Sequence, residues 1–135
     1  MTKPPPVRTD DIYAIHDLLA QYCWFFDDGD ADGYASLWTG EGELTGFGEP
    51  VRGMAALTKM LSDTYAGSQG KLRHILANVT QQYGKDENTA TAKGYNMVVR
   101  WASGGTLMCN VKETFELQRT AEGWRITRVN LDMMQ

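Results

Sequence analysis

The chain changes its hydrophobic period once, and this change limits the folds open to it. Up to about residue 67 the apolar residues recur at three-to-four spacing, which is typical of helices that pack by one face. Beyond residue 72, four segments are rich in Val, Thr, Ile and aromatic residues, and turn signals separate them. These segments are 73–83, 89–101, 106–118 and 124–133. Helices followed by consecutive strands predict an α+β fold with an antiparallel sheet.

Three helices are predicted in the first half. The first covers about 10–26 and ends in the acidic elbow 27–30, whose last residue can cap a short second helix that includes Trp38. A brief strand at 43–47 precedes the third helix, 54–67, which ends at a glycine.

Length and composition predict one domain. A chain of 135 residues that is 42% hydrophobic can bury a core without disulfides or a structural metal. We interpret residues 1–9, with three prolines, as a flexible arm and 10–135 as the domain. The net charge of −4 and the absence of a Lys/Arg cluster argue against nucleic-acid and membrane partners.

The two cysteines, Cys23 and Cys109, are expected to be reduced thiols, because a chain of this size does not need disulfides. The N-terminal residues lack an apolar signal core, and no run of about 18 apolar residues occurs. We therefore expect a cytoplasmic protein.

Of the two histidines, His74 is the candidate for chemistry. It lies among apolar residues of a predicted strand, where an imidazole needs hydrogen-bond partners and can act as a base near pH 7. The alternative is a histidine satisfied in the core or at the surface. Alternation places Asn78 on the same strand face, as a candidate substrate contact. His16 is out of phase with the apolar stripe of its helix and is expected in solvent.

Asp27 is the candidate partner of His74. A carboxylate at the C-terminal end of an apolar helix lies against the negative end of the helix dipole, so its placement has a cost. The alternative is a solvated turn acid. Tyr22 lies five residues earlier, slightly more than one turn, so its hydroxyl can face the same volume or simply belong to the core.

Glu113 alternates in phase with the apolar residues of its predicted strand, which leaves two interpretations open. It is either a carboxylate on an apolar face, with a raised pKa, or the partner of an arginine on a neighbouring strand.

No metal or cofactor site is predicted. The run 28–33 imitates the first half of a calcium loop, but Thr39 stands where that loop needs a glutamate. The histidines and cysteines lack zinc-ligand spacing, and no glycine-rich phosphate loop precedes a helix.

Four segments together resemble the SnoaL-like branch of the nuclear-transport-factor-two-like superfamily. They are Ile15–Leu19, Phe26–Asp30, Leu37–Trp38 and Arg73–Asn78. The resemblance extends over most of the chain and implies a cone-shaped barrel, in which a strongly curved antiparallel sheet and three helices enclose a pocket. It also implies a homodimer formed through the sheet.

In scytalone dehydratase, bile-acid dehydratases and hexachlorocyclohexane dehydrochlorinase of this superfamily, an aspartate after the first helix pairs with a strand histidine. Asp27 and His74 occupy those positions. The resemblance implies that His74 abstracts a proton from carbon, Asp27 orients its ring, and Tyr22 polarises a carbonyl or leaving hydroxyl. The implied activity is a cofactor-independent β-elimination or isomerisation.

The chain departs from its relatives at two places. Some dehydratases carry a second acid/base residue on the next long strand, where this chain has 97–99, Met-Val-Val. The general base of ketosteroid isomerases would fall near Thr45 and Gly46, so that mechanism is disfavoured.

Further pocket residues are expected from the apolar and aromatic positions Trp38, Tyr95, Met97 and Cys109, although such residues are also common in cores. They suit a hydrophobic small molecule such as a steroid, polyketide, terpenoid or aromatic compound. The same fold also supports a non-catalytic ligand-binding or scaffold domain, a polyketide cyclase or an epoxide-opening enzyme.

Overall fold

The computed structural model describes residues 5–134, and within them three helices and six strands follow one another. The helices are α1 (Thr9–Asp27), α2 (Ala31–Ser36) and α3 (Met54–Ser68). The strands are β1 (Trp38–Thr45), β2 (Val51–Arg52), β3 (Leu72–Tyr83), β4 (Thr89–Arg100), β5 (Thr106–Thr120) and β6 (Gly123–Met133). The predicted α+β class and the change from helices to strands are confirmed.

The six strands form one curved, open sheet in the order β2-β1-β6-β5-β4-β3. Neighbouring strands are antiparallel except β1 and β6, where Leu44 lies opposite Val129 in a parallel pair. The expected strongly curved sheet is confirmed. It stays open, however, because β2 and β3 remain as edges instead of closing a barrel.

The core lies between α1 and the concave face of the sheet. From α1, the buried residues Ile15, Leu19 and Tyr22 follow the helical period, and they belong to one cluster with Phe115 of β5 and Ile126 of β6. Full burial of each such side chain contributes about 1.5–3 kcal/mol. This packing fixes the helix against the strands that carry the cavity.

The second helix is shorter than predicted, because α2 ends at Ser36 and Trp38 opens β1. The carbonyl of Leu37 accepts a hydrogen bond from the Ile126 N–H at 2.8 Å, so the chain is already paired with β6 where the helix stops. The predicted cap is present: the Asp30 carboxylate accepts from the Gly33 N–H at 2.9 Å.

A buried carboxylate ties the start of α1 to the sheet. Asp11 accepts hydrogen bonds from the Tyr83 hydroxyl at 2.5 Å and from the Trp124 indole at 3.1 Å. Two Arg119 nitrogens donate to it at 3.0 and 2.7 Å. Arg119 and the other donors hold the pKa of Asp11 well below its usual range, although burial opposes them.

The predicted N-terminal arm lies partly outside the described residues, which begin at residue 5. In the part that is described, Val7 packs against the core. The guanidinium of Arg8 pairs with Glu87 at 2.6 Å. Among the described residues, no helix has the length and apolar character needed to cross a membrane.

Candidate active site

Asp27, the last residue of α1, contacts His74 near the start of β3. One Asp27 oxygen accepts from the backbone N–H of His74 at 2.8 Å, and the other lies 2.6 Å from the ring atom Nδ1. The Asp27 side chain is 5% exposed and that of His74 is 19% exposed. Because the backbone bond fixes one oxygen, the second is held in position for the ring.

This contact determines the tautomer that the geometry favours. A carboxylate only accepts, so Nδ1 carries the hydrogen and Nε2 keeps the lone pair. Within residues 5–134, Asp27 is the one hydrogen-bond partner of the ring. Phe26 packs edge-on against the imidazole, with ring centroids 5.2 Å apart, and restricts its rotation.

His74 lines a cavity of about 200 Å³ between the helices and the concave face of the sheet. Much of its wall is apolar, with Leu44, Leu72, Val98, Val111 and Leu131 among the lining residues. The polar side chains of the lining are Tyr22, Thr64, His74, Asn96 and Glu113. A low-polarity wall with a few polar groups is typical of sites for small organic molecules.

Tyr22 lines this cavity from α1 and also belongs to the buried core cluster. The Tyr22 ring is buried and packs edge-on against Phe115, with centroids 5.3 Å apart. Burial raises the pKa of Tyr22 well above its usual value. The hydroxyl therefore stays protonated and is available as a hydrogen-bond donor.

A second carboxyl group, Glu113, lies in the same cavity. Glu113 and Asn96 are each 2% exposed, and Asn96 Nδ2 donates to Glu113 Oε1 at 2.7 Å. The partner is thus an amide and not an arginine. Burial raises the pKa of Glu113, while the Asn96 hydrogen bond, the nearby His74 and the Tyr22 hydroxyl act in the opposite direction.

Tyr95 and Met97, expected to line the pocket, lie on the outer face of β4. They are 47% and 37% exposed, whereas their neighbours Asn96 and Val98 line the cavity. Successive side chains of a strand point to opposite faces, so the prediction was shifted by one residue. Lys93 could have revealed the correct face from the sequence. It is a charged residue in phase with Tyr95 and Met97, and such a residue indicates the outer face of the strand.

Asn78 was expected to share the pocket face with His74, but it is exposed. The pairing of β3 with β4 shifts between Ala77 and Thr80, and Asn78 has φ of 58°. This bulge inserts one residue and exchanges the faces of the strand. Inward positions therefore change from Leu72, His74 and Leu76 to Val79 and Tyr83.

Of the two remaining residues expected in the pocket, Cys109 lines the cavity and Trp38 does not. Burial raises the pKa of the Cys109 thiol. Trp38 is buried, but it packs behind the cavity wall, with its ring centroid 6.5 Å from that of Tyr22 and 5.9 Å from that of Tyr34. Trp38 therefore supports Tyr22 from the core side and does not line the cavity.

A family model for the SnoaL-like domain matches residues 7–130. The chain belongs to the SnoaL-like family. A comparison with curated proteins finds no match.

Solved structures support the family's fold for this chain. An NTF2-like protein with a cystatin-like fold from Novosphingobium aromaticivorans is 27% identical, with 93% of this chain and 83% of that chain covered and a TM-score of 0.84. A candidate aromatic ring hydroxylase from the same organism is 23% identical, with 96% and 93% covered and a TM-score of 0.77. A candidate dehydratase of the NTF2-like family from Streptomyces avermitilis is 14% identical, with 93% and 97% covered and a TM-score of 0.79.

Proposed function

We propose that this SnoaL-like protein is a cofactor-independent lyase or isomerase that removes a proton from carbon in a hydrophobic small molecule. The observation that carries the proposal is the 2.6 Å contact between His74 Nδ1 and Asp27, on a histidine that lines the cavity. This arrangement leaves Nε2 as the base. An oriented general base of this kind contributes about 10²–10⁴-fold to a rate.

Three residues share the work in this proposal. His74 takes the proton, Asp27 keeps Nδ1 protonated and stabilises the imidazolium that forms, and Tyr22 donates a hydrogen bond to a carbonyl or leaving hydroxyl. Tyr22 suits this role because burial keeps its hydroxyl protonated. Elimination and isomerisation share this first step.

The cavity favours a small aromatic substrate over a steroid. Its volume of about 200 Å³ lies below the range of about 300–1,000 Å³ common for drug-sized ligands. A cavity of about 150 Å³ already accepts benzene. The fold shared with the candidate dehydratase from Streptomyces avermitilis is compatible with a dehydration, but at 14% identity it supports the fold alone.

The test uses 4-hydroxy-4-phenylbutan-2-one, an aromatic β-hydroxy ketone that becomes a conjugated enone when water is lost. Dehydration is followed by absorbance, and proton abstraction by exchange of the α-hydrogen for deuterium. We expect His74→Gln to lose at least about 10²-fold in both reactions. His16→Gln is the matched control, because His16 is exposed and contacts Gln81 away from the cavity.

The alternative is a non-catalytic ligand-binding or scaffold domain. It predicts that wild-type protein binds aromatic ketones but neither exchanges their α-hydrogen nor dehydrates them, and that His74→Gln binds as wild type does. A polyketide cyclase or epoxide-opening enzyme would instead form a ring or a diol, which product analysis identifies.

We also propose a cytoplasmic homodimer that pairs through the outer face of the sheet. Both cysteines are free thiols, which fits the reducing cytoplasm. The outer face exposes large apolar side chains on adjacent strands, including Ile75, Tyr95 and Met97. Contiguous apolar surface of this kind often marks a protein interface.

A further inference from the structure

The cavity holds a polar pair that the His74 mechanism does not use. Glu113 and Asn96 sit on adjacent strands, β5 and β4, and both are 98% buried, since each is 2% exposed. Asn96 Nδ2 donates a hydrogen bond to Glu113 Oε1. Among the described residues, the other amide atom, Asn96 Oδ1, is buried without a hydrogen-bond partner. A buried acceptor without a partner costs stability, so it calls for an explanation.

A ligand hydroxyl would resolve this arrangement. The unpartnered Asn96 Oδ1 can accept the hydroxyl hydrogen, and a protonated Glu113 can donate to the hydroxyl oxygen through the carboxyl oxygen that Asn96 does not occupy. Apolar surroundings favour the neutral acid over the carboxylate, so Glu113 would hold a proton while the site is empty. The pair is then matched to one hydroxyl group.

We propose that Glu113 is the general acid of a dehydration and that Asn96 positions the hydroxyl which leaves. This inference rests on the proposed function, in which His74 is the base, and it leaves Tyr22 with the carbonyl of the substrate. It narrows the substrate to a small aromatic compound with a hydroxyl β to the carbon that loses its proton.

The step balances within the site. His74 Nε2 takes the proton from carbon, and the electron pair of that C–H bond forms the new C=C bond. The C–O bond breaks, and the leaving hydroxyl takes the Glu113 proton to become water. The enzyme then holds an imidazolium and a carboxylate, and the released water transfers one proton from His74 to Glu113 to restore the starting state.

The rival arrangement for these residues is an ion pair, in which Glu113 is a carboxylate and His74 an imidazolium. Their proximity would favour such a pair, since the His74 charge works against the effect of burial on Glu113. An ionised Glu113 could not donate a proton. The two arrangements therefore differ in one property, the protonation of Glu113 in the resting protein.

Infrared spectroscopy separates them without a substrate. We expect wild-type protein at neutral pH to show a carboxylic-acid C=O band that disappears in Glu113→Gln. Glu116→Gln is the matched control, because Glu116 is an exposed glutamate of the same strand. A wild-type spectrum without such a band overturns the proposal.

Acetophenone probes the donor directly, because its carbonyl only accepts. The Tyr22→Phe background removes the other donor assigned to a carbonyl. In that background the bound C=O band should shift to lower frequency with Glu113 and with Glu113→Gln, whose amide also donates, and should lose the larger part of that shift with Glu113→Leu. The hydrocarbon 2-phenylpropene, of similar shape, checks that all variants keep the cavity. An unshifted carbonyl in Tyr22→Phe, or an equal shift when Glu113→Leu is added to it, overturns the proposal.

Turnover of 4-hydroxy-4-phenylbutan-2-one distinguishes the two proposals from each other. We expect Glu113→Gln to lose dehydration at least about tenfold more than it loses α-hydrogen exchange, because the amide has no proton to transfer. His74→Gln should lose both. A wild type inactive in both assays overturns the proposed function, and the general-acid step with it. An active wild type matched by an equally active Glu113→Gln overturns only the role of Glu113.

Discussion

Asp27 holds His74 at two points, through the backbone N–H at 2.8 Å and through ring Nδ1 at 2.6 Å. The first bond joins the end of α1 to β3, an edge strand of the sheet. The second orients the imidazole. A single carboxylate thus connects a fold contact to a candidate catalytic group, and a substitution must separate these two effects.

Asp27→Asn makes that separation. The amide oxygen can still accept from the backbone N–H, but the NH₂ group then faces Nδ1, which must become an acceptor, so Nε2 is protonated and no longer a base. We expect α-hydrogen exchange to fall by about 10²-fold or more, with little loss of thermal stability. Asp27→Ala should lose both the α-hydrogen exchange activity and thermal stability. Full activity in Asp27→Asn would contradict the oriented base.

The carboxylate of Asp11 stabilises the fold, because it accepts hydrogen bonds from three side chains of the sheet. Asp11→Ala leaves the Tyr83 hydroxyl, the Trp124 indole and Arg119 without their acceptor, so we expect a loss of about 3 kcal/mol or more in urea unfolding. Asp17→Asn, an exposed residue of the same helix, is the control.

The pH dependence of that loss has a definite sign. The pKa of Asp11 is lowered in the folded protein, so the stability it contributes is present above the usual aspartate pKa and is lost as pH falls towards the lowered value. The difference between wild type and Asp11→Ala should therefore shrink in acid. A difference that is constant down to low pH would show that the carboxylate charge does not matter.

For Glu113 we expect the opposite pH dependence of stability. Burial raises its pKa in the folded state, so its contribution is fully present below the usual glutamate pKa and is lost as pH rises through the raised value. Relative to Glu113→Gln, wild type should lose stability over that window and then level off. Denaturant unfolding across the pH range measures the difference, and parallel curves would mean that Glu113 titrates as it does in the unfolded chain.

The two faces of β4 provide a test of the cavity. Val98 lines it and Met97 lies on the outer face, so Val98→Phe should reduce acetophenone binding at least about tenfold, while Met97→Phe should leave binding unchanged. Overpacking at Val98 costs about 1–3 kcal/mol, so circular dichroism must confirm that the variant folds. Equal binding by both variants would place the ligand elsewhere.

Local features of the sequence were sufficient to predict the Asp27–His74 pair and the inward face of Glu113. The dipole cost at Asp27 and the strand position of His74 identified two residues that are in contact, and alternation placed Glu113 on the buried face of β5. These signals depend only on the residues around each position.

The errors arose where pairing between strands decides the outcome. The extra residue near Asn78 is set by its pairing against β4, where a Cβ at Gly94 would come within 2.9 Å of the Ala77 carbonyl oxygen. The parallel pair of β1 with β6 joins segments more than 80 residues apart, and no local pattern encodes it. Alternation read within one strand could not reveal either feature.

The proposed dimer predicts a change in mass with one substitution. Ile75 and Met97 lie opposite each other on the outer face, 40% and 37% exposed, and Trp101 nearby is 64% exposed. A charge in the centre of a paired apolar face would be buried without a partner, so Met97→Glu should sediment as a monomer while wild type sediments as a dimer. Lys93→Glu, which changes charge on the same strand face at a position already polar, should remain dimeric. A monomeric wild type at micromolar concentration would contradict the proposal, and the cavity, which lies on the concave side of the sheet, should bind acetophenone in either state.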